Sequence, residues 1–302
     1  MTFNDDAQLD TSGVSRGGGG GRGLAIGGGG GLLGLVALVL YMLMGGNPAD
    51  VQQPPASQSD RQAESAGAGD LAAKCRTGAD ANRDPECRVV ATRNSVQSYW
   101  RAKLPEASGG KVQWQDTEMV LYQGQTRSAC GDASNEIGPF YCPLDKKVYM
   151  DAAFFRILEQ QFGSSGGPLA QEYVVAHEFG HALQDQLGLL ERAQQDPKGP
   201  ESGAVRVELM ADCFAGMWAK GAVETKDANG RTFMEPLTET DVRDALSAAE
   251  SVGDDHIQKQ ARGRVSPESF THGTSEQRQR WFMRGYETGD LNQCNTLQAR
   301  DL

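Results

Sequence analysis

Residues 168–188 read PLAQEYVVAHEFGHALQDQLG. Proline suits the first position of a helix, where its missing N–H costs nothing, and Gly188 suits the end, so the spacing predicts one helix from Pro168 to Gly188. Within it, His177 and His181 stand four residues apart, which puts both imidazoles on one face where they can meet a single ion. Glu178 follows the first histidine, placed to accept a proton from a water whose pKa a zinc ion lowers to about 7. The chain has only 4 histidines, so finding two at HExxH spacing is a specific signal. Val174, Val175, Phe179, Ala182 and Leu183 line the same helix with apolar side chains, as a buried helix requires.

A zinc ion that does chemistry needs a third protein ligand and an open fourth position. Positions 184 and 187 are Gln184 and Leu187, so the third ligand cannot come from an HExxHxxGxxH pattern. A second apolar segment, residues 205–221, reads VRVELMADCFAGMWAKG and supplies Glu208 as that ligand. Acids among Val207, Leu209, Met210, Phe214 and Trp218 need a partner to be buried. Asp212, one turn after Glu208, shares its face and is placed to fix the tautomer of a liganding histidine.

Outward from these helices the chain divides by composition. Fifteen of its 38 glycines fall in the first 46 residues. Residues 1–23 contain few large apolar side chains and are expected to form a disordered cytoplasmic tail. Residues 24–45 open with 21 uncharged residues from Leu24 to Met44, long enough for a single transmembrane helix. Arg16 and Arg22 precede that span and Asp50 is the first charge after it, an asymmetry that places the remainder outside the cytoplasm. A cleaved signal peptide is the competing reading; the long, partly acidic tail and the absence of a small-x-small pattern after Met44 favour an uncleaved anchor. Residues 46–72, rich in Pro, Ser, Gln and Ala, have the composition of a flexible linker, leaving 73–302 as the folded domain. The net charge of −11 argues against nucleic acid as a partner.

All six cysteines lie beyond the apolar stretch, where oxidation is expected, and proximity pairs Cys75 with Cys87, Cys130 with Cys142 and Cys213 with Cys294. Apolar periodicity predicts a helix from Glu86 to Leu104 ended by Pro105, and a strand over Lys111–Gln123. A second strand is expected at Lys147–Met150, followed by a helix capped by Asp151 and stopped at Gly163. Ile137–Tyr141 and Lys147–Met150 are the segments expected to line a substrate cleft by strand addition, the alternative being that Phe140 and Tyr141 are core aromatics. His256 is expected at the surface, and Asp254 and Asp255 lack EF-hand spacing.

Together, HEFGH, ELMADCFAG (residues 208–216), RSACGDASNEIGPFYCPLDKKVYMD (127–151) and FTHGTSEQRQRWFMRGYETGD (270–290) give the chain a resemblance to the neutral zinc metallopeptidases of bacterial membrane-anchored proteins. These sit within the gluzincin class of HExxH-plus-Glu enzymes. The resemblance implies an α+β, zincin-like domain, mostly helical with a small sheet, preceded by one transmembrane helix. It also implies His177, His181 and Glu208 as zinc ligands and Glu178 as catalytic base. The segment at His272 is similar to the Thr-His-Pro segment of some membrane-linked gluzincins, with glycine in place of proline. That likeness implies that His272 stabilises the oxyanion, against a purely structural hydrogen-bonding role, and that Arg278 assists. Thr274 and Gln277 form a capping box for the helix that follows. The expected function is that of an extracytoplasmic zinc peptidase held at the cell membrane and acting on proteins or peptides; the alternative is a catalytically silent zincin scaffold that binds envelope proteins.

Overall fold

A computed structural model describes residues 3–17, 69–135 and 137–302. Among these, no helix is long and apolar enough to cross a membrane; the expected anchor at 24–45 and most of the expected linker lie outside the described residues.

The architecture is α+β and mostly helical. Strands β1 (Val14–Arg16), β2 (Glu118–Leu121), β5 (Phe140–Cys142) and β6 (Lys147–Met150) form one mixed sheet in the order β1-β2-β6-β5, and β3 (Gln125–Ser128) pairs with β4 (Gly131–Ser134) in a separate hairpin. β1, β2 and β6 run parallel, with Met119 opposite Val14 on one side and Val148 on the other, while β5 is antiparallel to β6. After the helical residues 69–74, the α-helices are α1 (Gly78–Arg83), α2 (Pro85–Ala107), α3 (Phe154–Phe162), α4 (Pro168–Gln186), α5 (Glu191–Gln195), α6 (Gly203–Gly221), α7 (Glu239–Ser251), α8 (Asp254–Arg262) and α9 (Ser275–Thr288). Helix α4 packs against α6, α7 and α2 and touches β5 and β6, so the HEFGH segment sits between the helical layer and the sheet.

Two close approaches set this packing. Gly180, inside HEFGH, faces Ala211: a Cβ there would lie 3.1 Å from the Ala211 Cα. Where α6 crosses α9, a Cβ on Gly285 would lie 1.9 Å from the Cys213 carbonyl oxygen, and one on Gly216 2.0 Å from that of Phe282. Only glycine permits backbones this near. Three disulfides, Cys75–Cys87, Cys130–Cys142 and Cys213–Cys294, match the expected pairing, and the last ties α6 to the C-terminal segment.

Several local expectations are corrected. Residues 3–17, expected to be a disordered tail, are folded onto the domain: Phe3, Ala7 and Val14 are buried in the main core and β1 forms a sheet edge. Residues 69–72, expected to belong to the linker, are helical, and Leu71 is fully buried. Pro105 does not end its helix; it lies in the last turn of α2, which runs on to Ala107. Only 118–121 of the expected strand 111–123 forms a ladder. Before it, side chains take the place of a strand partner, with Thr117 N donating to Gln97 Oε1 and Gln115 N to Gln186 Oε1. Asp151 does not cap α3, which begins at Phe154; its carboxylate accepts instead from the Ala153 and Gly124 amides. The Gly163 stop, with φ 77°, the Pro168 start and the Thr274–Gln277 capping box are found as expected.

Candidate metal centre

Helix α4 begins at Pro168 and holds His177, Glu178 and His181 on its buried side; α6, whose N-cap Ser202 accepts from Val205 N, brings Glu208 across from them. His177 Nε2 lies 3.2 Å from Glu208 Oε2, and His181 Nε2 lies 3.4 Å from Glu208 Oε1. The three donor atoms all lie within 4.8 Å of one another. Two ligands about 2.0–2.1 Å from a tetrahedral zinc ion are separated by about 3.3 Å, and each histidine lies at about that distance from one of the two Glu208 oxygens. The donor set, two imidazoles and one carboxylate, is also one that zinc accepts. The residues therefore fit a zinc ion.

Both histidines are oriented from behind. His177 Nδ1 lies 2.8 Å from Asp212 Oδ1, and His181 Nδ1 lies 2.8 Å from Gln184 Oε1. Each contact keeps the proton on Nδ1 and leaves the Nε2 lone pair free for a metal. Gln184 is in turn fixed by donating to the Val207 carbonyl oxygen at 2.6 Å. Asp212 is fully buried and accepts from Arg278 Nε and Nη2, both at 2.9 Å, and from the Tyr173 hydroxyl at 2.5 Å. Arg278 Nη2 also donates to Tyr173 at 3.2 Å, closing a buried network. Asp212 is expected from the sequence in this role; Arg278, expected to assist His272, is instead bound to Asp212 and Tyr173. Gln184 and Tyr173 are not expected in it, although the i,i+3 step from His181 to Gln184 is readable.

The electrostatics suit a cation. Burial alone would raise Glu208, but the charges of His181, His272 and His177 outweigh it and hold its carboxyl well below the ordinary range. Burial would lower His177, yet Asp212 and Glu208 lift it to about 9. Glu178 differs: burial dominates and raises its pKa, which makes its carboxylate a stronger base.

His272 lies just before α9. Its Nδ1 is 2.8 Å from Thr271 Oγ1 and 3.4 Å from Asp254 Oδ1. Burial lowers its pKa, but Glu208 and Asp254 together raise it. Asp254 is buried, and its Oδ2 accepts from the amides of Thr271, His272 and Gly273, so it anchors the segment that carries His272. His256 is turned elsewhere, toward the Phe162 carbonyl oxygen and Gln260.

A family profile described as "Putative neutral zinc metallopeptidase" matches residues 4–297. The chain is 52% identical over 304 residues to "Uncharacterized protein Rv2575" of Mycobacterium tuberculosis and, to the same degree, to "Uncharacterized protein Mb2605" of Mycobacterium bovis, covering all of both chains in each case. It is 37% identical over 309 residues to "Uncharacterized protein YpfJ" of Escherichia coli, covering 97% of this chain and 94% of that one. No solved structure matches the chain significantly.

Proposed function

This chain belongs to the neutral zinc metallopeptidase family, and from that premise we propose that it hydrolyses peptide bonds with His177, His181 and Glu208 holding zinc and Glu178 as general base. The observation that carries the proposal is the convergence of the three donor atoms within 4.8 Å of one another, one residue from the buried Glu178. When bound, zinc supplies Lewis acidity, polarising the scissile carbonyl and lowering the pKa of a water to about 7. Glu178 takes the proton of the attacking water and delivers it to the leaving amine. Its pKa, raised by burial, makes the carboxylate a stronger base for the first of these transfers. His272, held through Nδ1 by Thr271 and Asp254, offers its other ring nitrogen to the oxyanion as the carbonyl becomes tetrahedral.

A peptide substrate is proposed to lie extended along β5, the sheet edge that pairs only with β6 among the described strands; Lys147–Met150, also expected to take it, is β6 itself, whose two sides are already filled by β2 and β5. Phe140 and Tyr141 serve as its support: Phe140 stacks on Tyr149, and the Tyr141 hydroxyl donates to Asp185. Three disulfides favour an oxidising, extracytoplasmic compartment, and the apolar stretch Leu24–Met44 favours attachment to the membrane, with proteins near the bilayer as substrates. Digestion of unfolded casein by the purified full chain, abolished by a chelator and restored by zinc, tests the proposal. Zinc binding with no hydrolysis of any unfolded protein would instead support a silent scaffold.

A further inference from the structure

Residues 3–17 are joined to four parts of the domain. Phe3 exchanges two hydrogen bonds with Asn82, its amide donating to Oδ1 at 2.9 Å and Asn82 Nδ2 donating to its carbonyl oxygen at 2.8 Å. The Gln8 amide donates to Asp227 at 2.8 Å, and Asp10 and Asn94 exchange two bonds of 2.8 Å. Around β1, Met119 N donates to the Gly13 carbonyl oxygen at 2.9 Å and Gly17 N to that of Leu121 at 2.8 Å. Arg16 forks onto both oxygens of Glu86 at 3.0 and 2.9 Å, and Lys74 shares that carboxylate. Gly13 has φ +71°, and a Cβ there would meet the Arg93 guanidinium at 2.5 Å, so the turn into β1 is shaped for this seat.

This docking has a topological consequence. The stretch from 18 to 68 connects two parts of one domain, and it contains the apolar run Leu24–Met44. One crossing by that run would place β1 and β2 on opposite sides of about 30 Å of hydrocarbon. Paired strands are about 4.8 Å apart. Residues 45–68, GGNPADVQQPPASQSDRQAESAGA, offer no second apolar run that could return the chain. Exchange of the N-terminal segment between neighbouring molecules meets the same barrier. We infer that residues 3–17 and 69–302, paired strand to strand, lie on the same side of any membrane the chain meets. The expected cytoplasmic tail is thereby replaced by a strand of the peptidase domain, whatever that domain catalyses.

The test uses two full-length variants, Ser12→Cys and Ala228→Cys, at exposed positions in the N-terminal segment and the domain. Each is treated with a membrane-impermeant maleimide on protoplasts, before and after detergent, after non-reducing gels show the three disulfides intact. Equal labelling of the two before detergent, or equal protection of both until detergent, supports the inference; the second result would also place the domain in the cytoplasm. Labelling of one site while the other waits for detergent overturns it. Docking is checked separately in the full chain. Arg16→Glu should shorten the half-life under chymotrypsin, whose sites neither substitution changes, about fivefold, and Glu86→Arg added to it should recover part of that loss. An unchanged half-life in Arg16→Glu would overturn the docking on which the inference rests.

Discussion

The candidate metal centre and the N-terminal segment are both held by carboxylates, in opposite surroundings. Asp212, fully buried, accepts from His177, Tyr173 and Arg278 out of reach of bulk solvent. Glu86, at the rim, shares its oxygens between Arg16 and Lys74, and Lys74 is more than a third exposed. The first arrangement is costly to disturb because a lost partner leaves a buried charge unpaired. The second is a reversible clasp that salt and acid can loosen. The candidate centre is therefore held by buried contacts, while the ion pairs that clasp β1 at the sheet edge are partly exposed.

Breaking the central region at its chemistry should have the largest effect. Glu178→Gln keeps the shape of the side chain and loses the base, so kcat on a peptide substrate should fall about 10³-fold or more, with zinc content and thermal midpoint unchanged. Breaking it at its packing comes next. Gly285→Ala forces a Cβ into the Cys213 carbonyl oxygen and should cost about 3 kcal/mol in denaturant unfolding. Asp212→Asn sharpens the comparison by weakening the support of His177 without removing a ligand: zinc affinity, measured by competition with a chromophoric chelator, should drop about 10- to 100-fold.

The clasp should yield less. Arg16→Ala should lower stability by about 1 kcal/mol, and added salt should shrink the difference. Its pH dependence has a definite sign. Arg16 and Lys74 overcome the upward effect of burial and lower Glu86 from the ordinary 4.5 to about 2. A depressed folded pKa gives stability that is complete above 4.5 and lost as the pH falls toward 2. Glu86→Gln should therefore be less stable than the parent at neutral pH and converge with it in acid, measured by thermal unfolding across that range.

The two regions also differ in how far they were legible. HEFGH and the pair Glu208 and Asp212 announce themselves because metal chemistry restricts residue type and helical spacing restricts position. Tyr173 and Gln184 carry no such mark, since a tyrosine or glutamine on a buried helix acquires its role only from what the fold puts opposite. Residues 3–17 looked disordered because only a few of their side chains are buried. Their seat depends on backbone bonds and on Asn82, Asn94 and Asp227, far away in sequence. The strand expected over 111–123 was too long for a related reason: Gln97 and Gln186 satisfy the backbone at Thr117 and Gln115 in place of a neighbouring strand.

The central claim is that His177, His181 and Glu208 hold one zinc ion. Zinc content and affinity of the purified full chain, compared with those of Glu208→Gln, test it most directly. The account predicts about one zinc per chain in the parent and affinity weaker by more than about 100-fold in the variant, since a ligand should matter more than the groups that orient it. Equal zinc affinity in the two proteins would contradict it.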